Sequence, residues 1–338
     1  MRIGNDYSSI SPSFSGFWNN KAVLKGLEAV SEHGTSFIAA TTFVMASGVR
    51  PLAISATPNI KEENKKYAVS NSIASGAVKF GIGMAVALPI ENAIKKAEKN
   101  PEKFLSKRTV KFFKKGTDSL SNSRNFKFAT QFMKQSIGFI TAIPKSVMTV
   151  ALIPVLTKKL YSKKEKEQEQ NIKPQMQIKS CNKLYTPSFK GGLTDIAAKG
   201  AGKILDNKTV QKMSEKFSTY DIDIARNMAV ATDLLLTASF ANQTIKNEEI
   251  EKERKKPLIM NTVYGTAASI LGGCAIDEAV KKNTENFMEK FKTINKNDPK
   301  LAKYVEGINI IRPTMIFAGI YYGIFPVITT YLADKTDK

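Results

Sequence analysis

Histidine and cysteine are nearly missing from this chain. One histidine, His33, and two cysteines, Cys181 and Cys274, occur in 338 residues. The cysteines lie far apart and form no CxxC, which excludes a disulfide framework and a structural zinc site. A Ser-His-Asp or Cys-His centre would have to use His33, and nothing near it completes one. Phosphate loops are missing as well. Gly81-Ile82-Gly83 sits inside an apolar stretch with no strand before it, so it is not a dinucleotide fingerprint. Gly200-Ala201-Gly202-Lys203 lacks the Walker A spacing and the Ser or Thr after the lysine. No HExxH occurs, and no paired carboxylates suggest a cleft. The expectation is a protein that is not an enzyme and holds neither cofactor nor metal.

Acidic residues are also scarce: 30 Asp and Glu stand against 51 Lys and Arg, for a formal charge of +21. Apolar residues make up 42%, enough to bury a core, so a wholly disordered chain is excluded. A mean hydropathy of −0.21 excludes a chain that is membrane from end to end. Residues 1–20 are polar and hold no apolar run of the kind a secretory signal needs. No cleavable signal peptide is expected, and membrane insertion would start from an internal segment.

What apolar sequence there is comes bunched. Six stretches run about Gly34–Ala56, Val69–Ile94, Gln135–Leu156, Ile224–Ile245, Leu258–Ile276 and Thr314–Ala333. Alternation of period two, bounded by turns, is rare, so all six read as helices and the chain as all-α. Only the last two are free of charge over the roughly 20 residues that a bilayer crossing needs. The other four each hold an ionisable residue: Arg50, Lys79, Lys145 and Asp233. Ser162–Tyr185 is rich in Lys, Glu and Gln and reads as a flexible linker.

The chain repeats itself. Ser-Pro-Ser-Phe-Ser-Gly at Ser11–Gly16 returns as Thr-Pro-Ser-Phe-Lys-Gly at Thr186–Gly191. IKEENKK at Ile60–Lys66 parallels IEKERKK at Ile250–Lys256. IENAIKK at Ile90–Lys96 parallels IDEAVKK at Ile276–Lys282, and Ile143–Leu160 parallels Ile311–Leu332. Four matches in one order point to a duplication. The expected plan is two homologous three-helix repeats, residues 1–161 and 186–338, joined by the linker 162–185.

Lipid rather than water reads as the solvent of these helices. The fifth and sixth stretches lack the polar stripe of a soluble surface helix. Small residues recur at spacing four, at Gly265, Ser269 and Gly273 and again at Gly319 and Gly323, a pattern that lets helices approach closely in a membrane. Gly319 and Gly323 are therefore a candidate face for a homo-oligomer. Prolines in or beside the stretches fit the same solvent. The expectation is an integral membrane helical bundle of about six membrane helices with interfacial amphipathic helices. Residues 95–134 hold twelve basic and three acidic residues, and their counterpart 277–306 holds seven and six. That lost bias leans towards an inverted second copy, as three crossings per unit also demand. The alternatives are a third stretch that re-enters, broken at Pro144–Lys145, or a linker region that escapes the charge rule.

Ionisable residues inside a bilayer pair or line a wet cavity, because each costs about 2.5–3.5 kcal/mol there. Arg50, Lys79, Lys145 and Asp233 are therefore the candidate binding residues, three bases and one acid suited to a small anionic solute. Snorkelling of Arg50 and Lys79 to an interface is the plainer alternative. Lys103, Lys107, Arg108, Lys111, Lys114 and Lys115 form a basic run with Phe104, Leu105, Val110, Phe112 and Phe113 interleaved. This is the composition of a helix lying on anionic lipid, or of a solvated basic loop. Flanking apolar stretches favour lipid, and no nucleic-acid partner is expected. Phe17–Val30 places Val23, Leu24, Leu27 and Val30 on one helical face, with Trp18, the single tryptophan, suited to a headgroup boundary. Two functions fit: a transporter or channel with its site at the repeat interface, or a non-catalytic membrane-organising or interaction scaffold with basic lipid-facing surfaces.

Overall fold

The structure, a computed structural model, describes residues 20–58, 62–117, 119–120, 123–167, 191–218 and 223–328. Among these residues there is no strand, and 89% are helical. Six long helices contain the six apolar stretches, as far as the described residues reach: α2 (Gly34–Ala56), α3 (Glu62–Lys99), α6 (Arg124–Glu167), α9 (Ile224–Lys246), α10 (Lys252–Asn283) and α12 (Leu301–Ile328). Shorter helices decorate one end: α1 (Lys21–Glu32), α4 (Pro101–Phe104), α5 (Lys107–Phe113), α7 (Gly191–Leu205), α8 (Lys208–Phe217) and α11 (Glu285–Ile294). Five of the long helices are long and apolar enough to cross a membrane. The sixth, α9, falls short: besides Arg226 and Asp233 it carries Asn227, Asn242, Gln243 and several threonines.

The long helices close into a ring. α2 and α3 run antiparallel: the Glu91 carboxylate accepts from the Thr35 backbone N–H at 2.7 Å, and a Cβ at Gly76 would stand 2.8 Å from the Ala46 methyl. α3 and α6 are antiparallel too, with Lys134 3.2 Å from Glu98 at one end and Lys145 beside Gly83 further along. α6 and α9 then run parallel. Gly138 faces Thr232, and two turns further on the Ser146 and Ser239 hydroxyls are hydrogen-bonded. α9 and α10 are antiparallel through Thr237–Thr266 at 2.6 Å. α10 and α12 are antiparallel, with Phe325 over Gly265 and Phe317 over Gly273. α12 returns to α2 in parallel, from Gly34–Ile310 to Val49–Gly323.

α2, α6, α9 and α12 therefore start at one end, here the proximal end, and α3 and α10 start at the other, the distal end. This overturns the inverted arrangement: α2 and α9, the first long helices of the two halves, point the same way. The chain leaves the first half at the distal end of α6. It is at the proximal end again in α7, whose Ala198 packs on Ala93 and Ala97 near the end of α3. Charge counts misled because the proximal end holds 95–134 and 277–306 alike, together with the lysines of α7 and α8. The re-entrant alternative also fails. α6 runs unbroken through Pro144 and Pro154. Around Pro144, Thr141, Ser146 and Thr149 donate to carbonyls of the preceding turn at 2.7–2.9 Å, which helps a membrane-type helix absorb proline. The same helix continues through residues 162–167, the start of the segment read as linker.

The small-residue pattern has an internal use. Gly265, Ser269 and Gly273 let α10 approach α12, where a Cβ at Gly273 would stand 2.9 Å from the Phe317 ring and Ser269 is 1% exposed. Gly323 packs on Val49 of α2 at 3.7 Å. The π-helical turn Ile320–Ile324 sets Gly323 towards α2, while a Cβ at Gly319 would meet nothing within 4 Å. The Pro-Ser-Phe motifs lie outside the described residues, apart from Gly191, as does Trp18. Leu27 of α1 is buried against Phe291 and Tyr304, with Val23 and Leu24 beside it.

Candidate functional site: a charged cavity inside the ring

All four ionisable residues singled out from the sequence meet in one place. Arg50 from α2, Lys79 from α3, Lys145 from α6 and Asp233 from α9 line a single cavity of about 260 Å³ enclosed by the ring. α10 and α12 complete its wall with Asn261, Thr266, Tyr321 and Tyr322 among others. The outside of the same helices is apolar: Phe139, Ile140 and Val155 of α6, Leu234 of α9, Leu271 of α10 and Ile324 of α12 are all exposed. Hydroxyls dominate the polar part of the wall, including Thr42, Ser75, Thr149, Thr232, Thr262 and Thr314. Four ionisable residues inside the ring and large exposed apolar side chains outside it depart from the pattern of a water-soluble bundle.

None of the four charges has an ion-pair partner within 4 Å among the described residues. They act on one another at longer range. Lys79 lies within electrostatic range of both Lys145 and Asp233, and Tyr322 within range of Asp233 and Arg50. The Arg50 guanidinium lies 5.7 Å from the centre of the Tyr321 ring, a cation–π contact. Among the described residues its Nε–H is buried without an acceptor, and the Asn71 side-chain oxygen is buried without a donor. Two π-helical turns, Met45–Val49 in α2 and Ile320–Ile324 in α12, pack on each other here through Ala46 and Tyr322. Such turns widen a helix by one residue and recur at functional sites.

A smaller cavity of about 100 Å³ lies at the proximal end, lined by Gln131, Asp223, Lys281, Glu306, Asn309 and Arg312 with their neighbours. It shares Gln135 and Ala225 with the central cavity. Between the two the helices are tight: a Cβ at Gly34 would stand 3.0 Å from Ile310 and 3.3 Å from Gln135.

The proximal end is knotted by buried acids that the sequence reading passed over. Glu91, 0% exposed, accepts from Thr35 and Ser36 backbone N–H groups and from the Ser36 hydroxyl at 2.5 Å. It therefore caps the start of α2. Asp277, also 0% exposed, accepts from Arg312 Nε at 2.7 Å and from Arg226 at 3.4 Å, while Arg312 reaches Asp223 at 2.6 Å. Lys134 and Glu306 are held beside Glu98 and Ser31. Asp277, Lys134 and Arg312 lie just outside apolar stretches and so do not stand out as charges amid apolar runs; Glu91 lies inside one, near its end, and was passed over. His33 joins α1 to α2, with Nδ1 3.5 Å from Glu91. Among the described residues no three His, Cys, Asp or Glu side chains gather as a metal site would need.

The basic run takes a different form from a lipid-lying helix. Lys103, Lys107, Arg108, Lys111, Lys114 and Lys115 are exposed. Phe104, Leu105 and Phe113 are buried, and Val110 and Phe112 pack beside them against residues of α3, α6 and α7. Most of their apolar area is already packed inside the lobe, and the cations face outwards. The lobe is completed by α7 and α8, with Asp206 accepting from Ser106 and Gln211 donating to Thr109. Their Lys199, Lys203, Lys208 and Lys212 are exposed beside that run. No family model, curated protein or solved structure matches the chain.

Proposed function

We propose that this is a multi-pass membrane protein that binds a small anionic solute in the central cavity and passes it across the bilayer. One observation carries the reading: four charged side chains from four helices converge inside a ring whose outside is apolar. Three bases against one acid leave the cavity cationic, and desolvated walls strengthen the pull on an anion. In this reading the six long helices are two homologous three-helix units, the sixth crossing made by α9 under cover of its neighbours. Equivalent contacts support the duplication. Lys65 and Lys255, matched in the repeat, each donate to a carbonyl ten residues back, Ser55 and Ile245, at 3.1 and 2.8 Å. Glu91 and Asp277, also matched, are each fully buried at the proximal end. The test is flux of labelled anions into sealed liposomes holding the purified chain. Uptake that falls at least tenfold in Arg50→Gln and Asp233→Asn, with both variants folded, supports the reading. No flux above empty liposomes removes it.

A second reading rests on the parallel halves. A bilayer sealed around all six helices would put the connection from α6 to α7 across hydrocarbon. Residues 168–190 hold four Lys and one Glu, each unfavourable there by about 2.5–3.5 kcal/mol. A scaffold held to anionic membrane through its basic proximal lobe avoids that crossing and needs no flux. Alkaline carbonate separates the two: an embedded transporter stays with the membrane, and a scaffold bound by charge is released. Vesicle flotation then shows whether neutralising the six basic residues of 103–115 abolishes binding of the released chain.

A further inference from the structure

We infer that Asp233 takes up a proton with each anion, so that the central cavity carries a monovalent anion and one proton together. The inference deepens the proposed anion binding and rests on that reading.

Among the described residues Asp233 is the single acid on the cavity wall. On α9 that wall runs from Ala225 to Phe240, about 22 Å at a rise of about 1.5 Å per residue. Asp233 stands midway, so a solute moving along the cavity passes it. Lys79 of α3, Lys145 of α6, Arg50 of α2, and Tyr321 and Tyr322 of α12 share the wall with it, and α10 brings no charged side chain there. Asp233, Lys79 and Lys145 are each half-buried, with surface left open on the cavity and no ion-pair partner among the described residues. The acids of the proximal knot differ. Glu91 and Asp277 are 0% exposed and held by fixed donors, so neither meets a passing solute.

Charge decides the coupling. With the carboxylate ionised, the wall holds three positive charges and one negative. An anion drawn to the bases meets that carboxylate in an interior where like charges repel far more than in water. A proton on Asp233 removes the repulsion. Anion and proton therefore each favour the binding of the other, by the same factor. Bound together they add no net charge to the cavity, so the cost of carrying an isolated charge into the bilayer is avoided. The proton comes from water on one side and returns to water on the other. Its loss restores the carboxylate, which competes for the bases and expels the anion.

The experiment is titration of the full chain in detergent micelles with chloride, nitrate and lactate. Calorimetry reads affinity and a pH indicator in weak buffer reads proton uptake, over about pH 5 to 8, above the range of an ordinary carboxyl. Binding is expected to draw up to one proton per anion from solution, and affinity to rise by up to about tenfold for each pH unit of acidification. Asp233→Asn, a fixed neutral form, should bind with an affinity flat in pH and take up no proton. Asp233→Glu should restore both signals, and circular dichroism confirms that each variant is folded. In liposomes an inward proton gradient should drive chloride uptake by the wild-type chain and not by Asp233→Asn, which lacks the charge that expels the anion. Anion binding without proton uptake overturns the inference and leaves the anion site standing. Uptake that survives in Asp233→Asn also overturns it, since the proton then sits on Lys79 or Lys145, as does a folded Asp233→Asn protein that binds no anion. No saturable binding of any of the three anions to the wild-type chain removes the inference and the anion reading together.

Discussion

The two ends of the ring are built from different materials. At the proximal end Glu91, Asp277 and Lys134 are buried and Glu306 is half-buried, all four engaged, and ion pairs tie α1, α3, α9, α10 and α12 together. At the distal end Ile250 meets Val150 and Ile153, two lysines donate to single carbonyls, and the ion pair Arg254–Glu251 lies within one turn. Buried charge pairs are directional, and breaking one strands its partner. Apolar contacts can slide and re-form with less penalty. The contrast makes the proximal end the fixed frame and the distal end the part free to part.

Substitutions can break this contrast, and their effects should fall in order. The largest is expected for Asp277→Ala, which leaves Arg226 and Arg312 without their shared carboxylate. About 3–5 kcal/mol of stability should be lost, read as unfolding in mixed micelles, and an unchanged midpoint would make the knot ornamental. Next comes Glu91→Ala, which uncaps α2 and should lose about 1–3 kcal/mol in the same assay. Gly273→Val is expected in a similar range, about 1–3 kcal/mol, because the added atoms meet Phe317.

A smaller, pH-dependent effect is expected at Glu32. Burial raises this carboxyl, but hydrogen bonds from Lys303 and Lys95 override it and hold it at about 2, against an ordinary 4.5. Its stabilisation is therefore complete above 4.5 and is lost as pH falls towards 2. At these partly exposed pairs it is worth about 1 kcal/mol. Glu32→Gln should flatten the acid limb of the stability curve in that window, and an unchanged limb would contradict the assignment. The smallest change is expected at the distal Arg254→Ala, within about 0.5 kcal/mol of wild type. A loss comparable to Asp277→Ala would erase the difference between the ends.

The helices were readable because apolar runs without period-two alternation leave little else. The four cavity charges were readable for the same reason: an ionisable residue amid apolar ones stands out, and sequence alone brought Arg50, Lys79, Lys145 and Asp233 forward. What stayed hidden depends on partners. The direction of α9 relative to α2 is set by which faces pack, and local sequence holds no record of that. Phe113 looks the same in the sequence whether lipid or Leu205 covers it. Gly323 reads as half of a dimer motif until a π-helical turn rotates it onto Val49. Asn71 gave no signal, since one amide on a helix is unremarkable until its surroundings lack a donor.

The most direct measurement is thiol labelling of single cysteines, in a chain freed of Cys181 and Cys274, within native membranes. With a membrane-impermeant maleimide, Thr262→Cys and Thr149→Cys on the cavity wall should label, and Leu271→Cys and Phe139→Cys on the exterior should stay dark. Labelling of the exterior positions from water, with the cavity positions silent, would contradict a ring that faces lipid outside and water within.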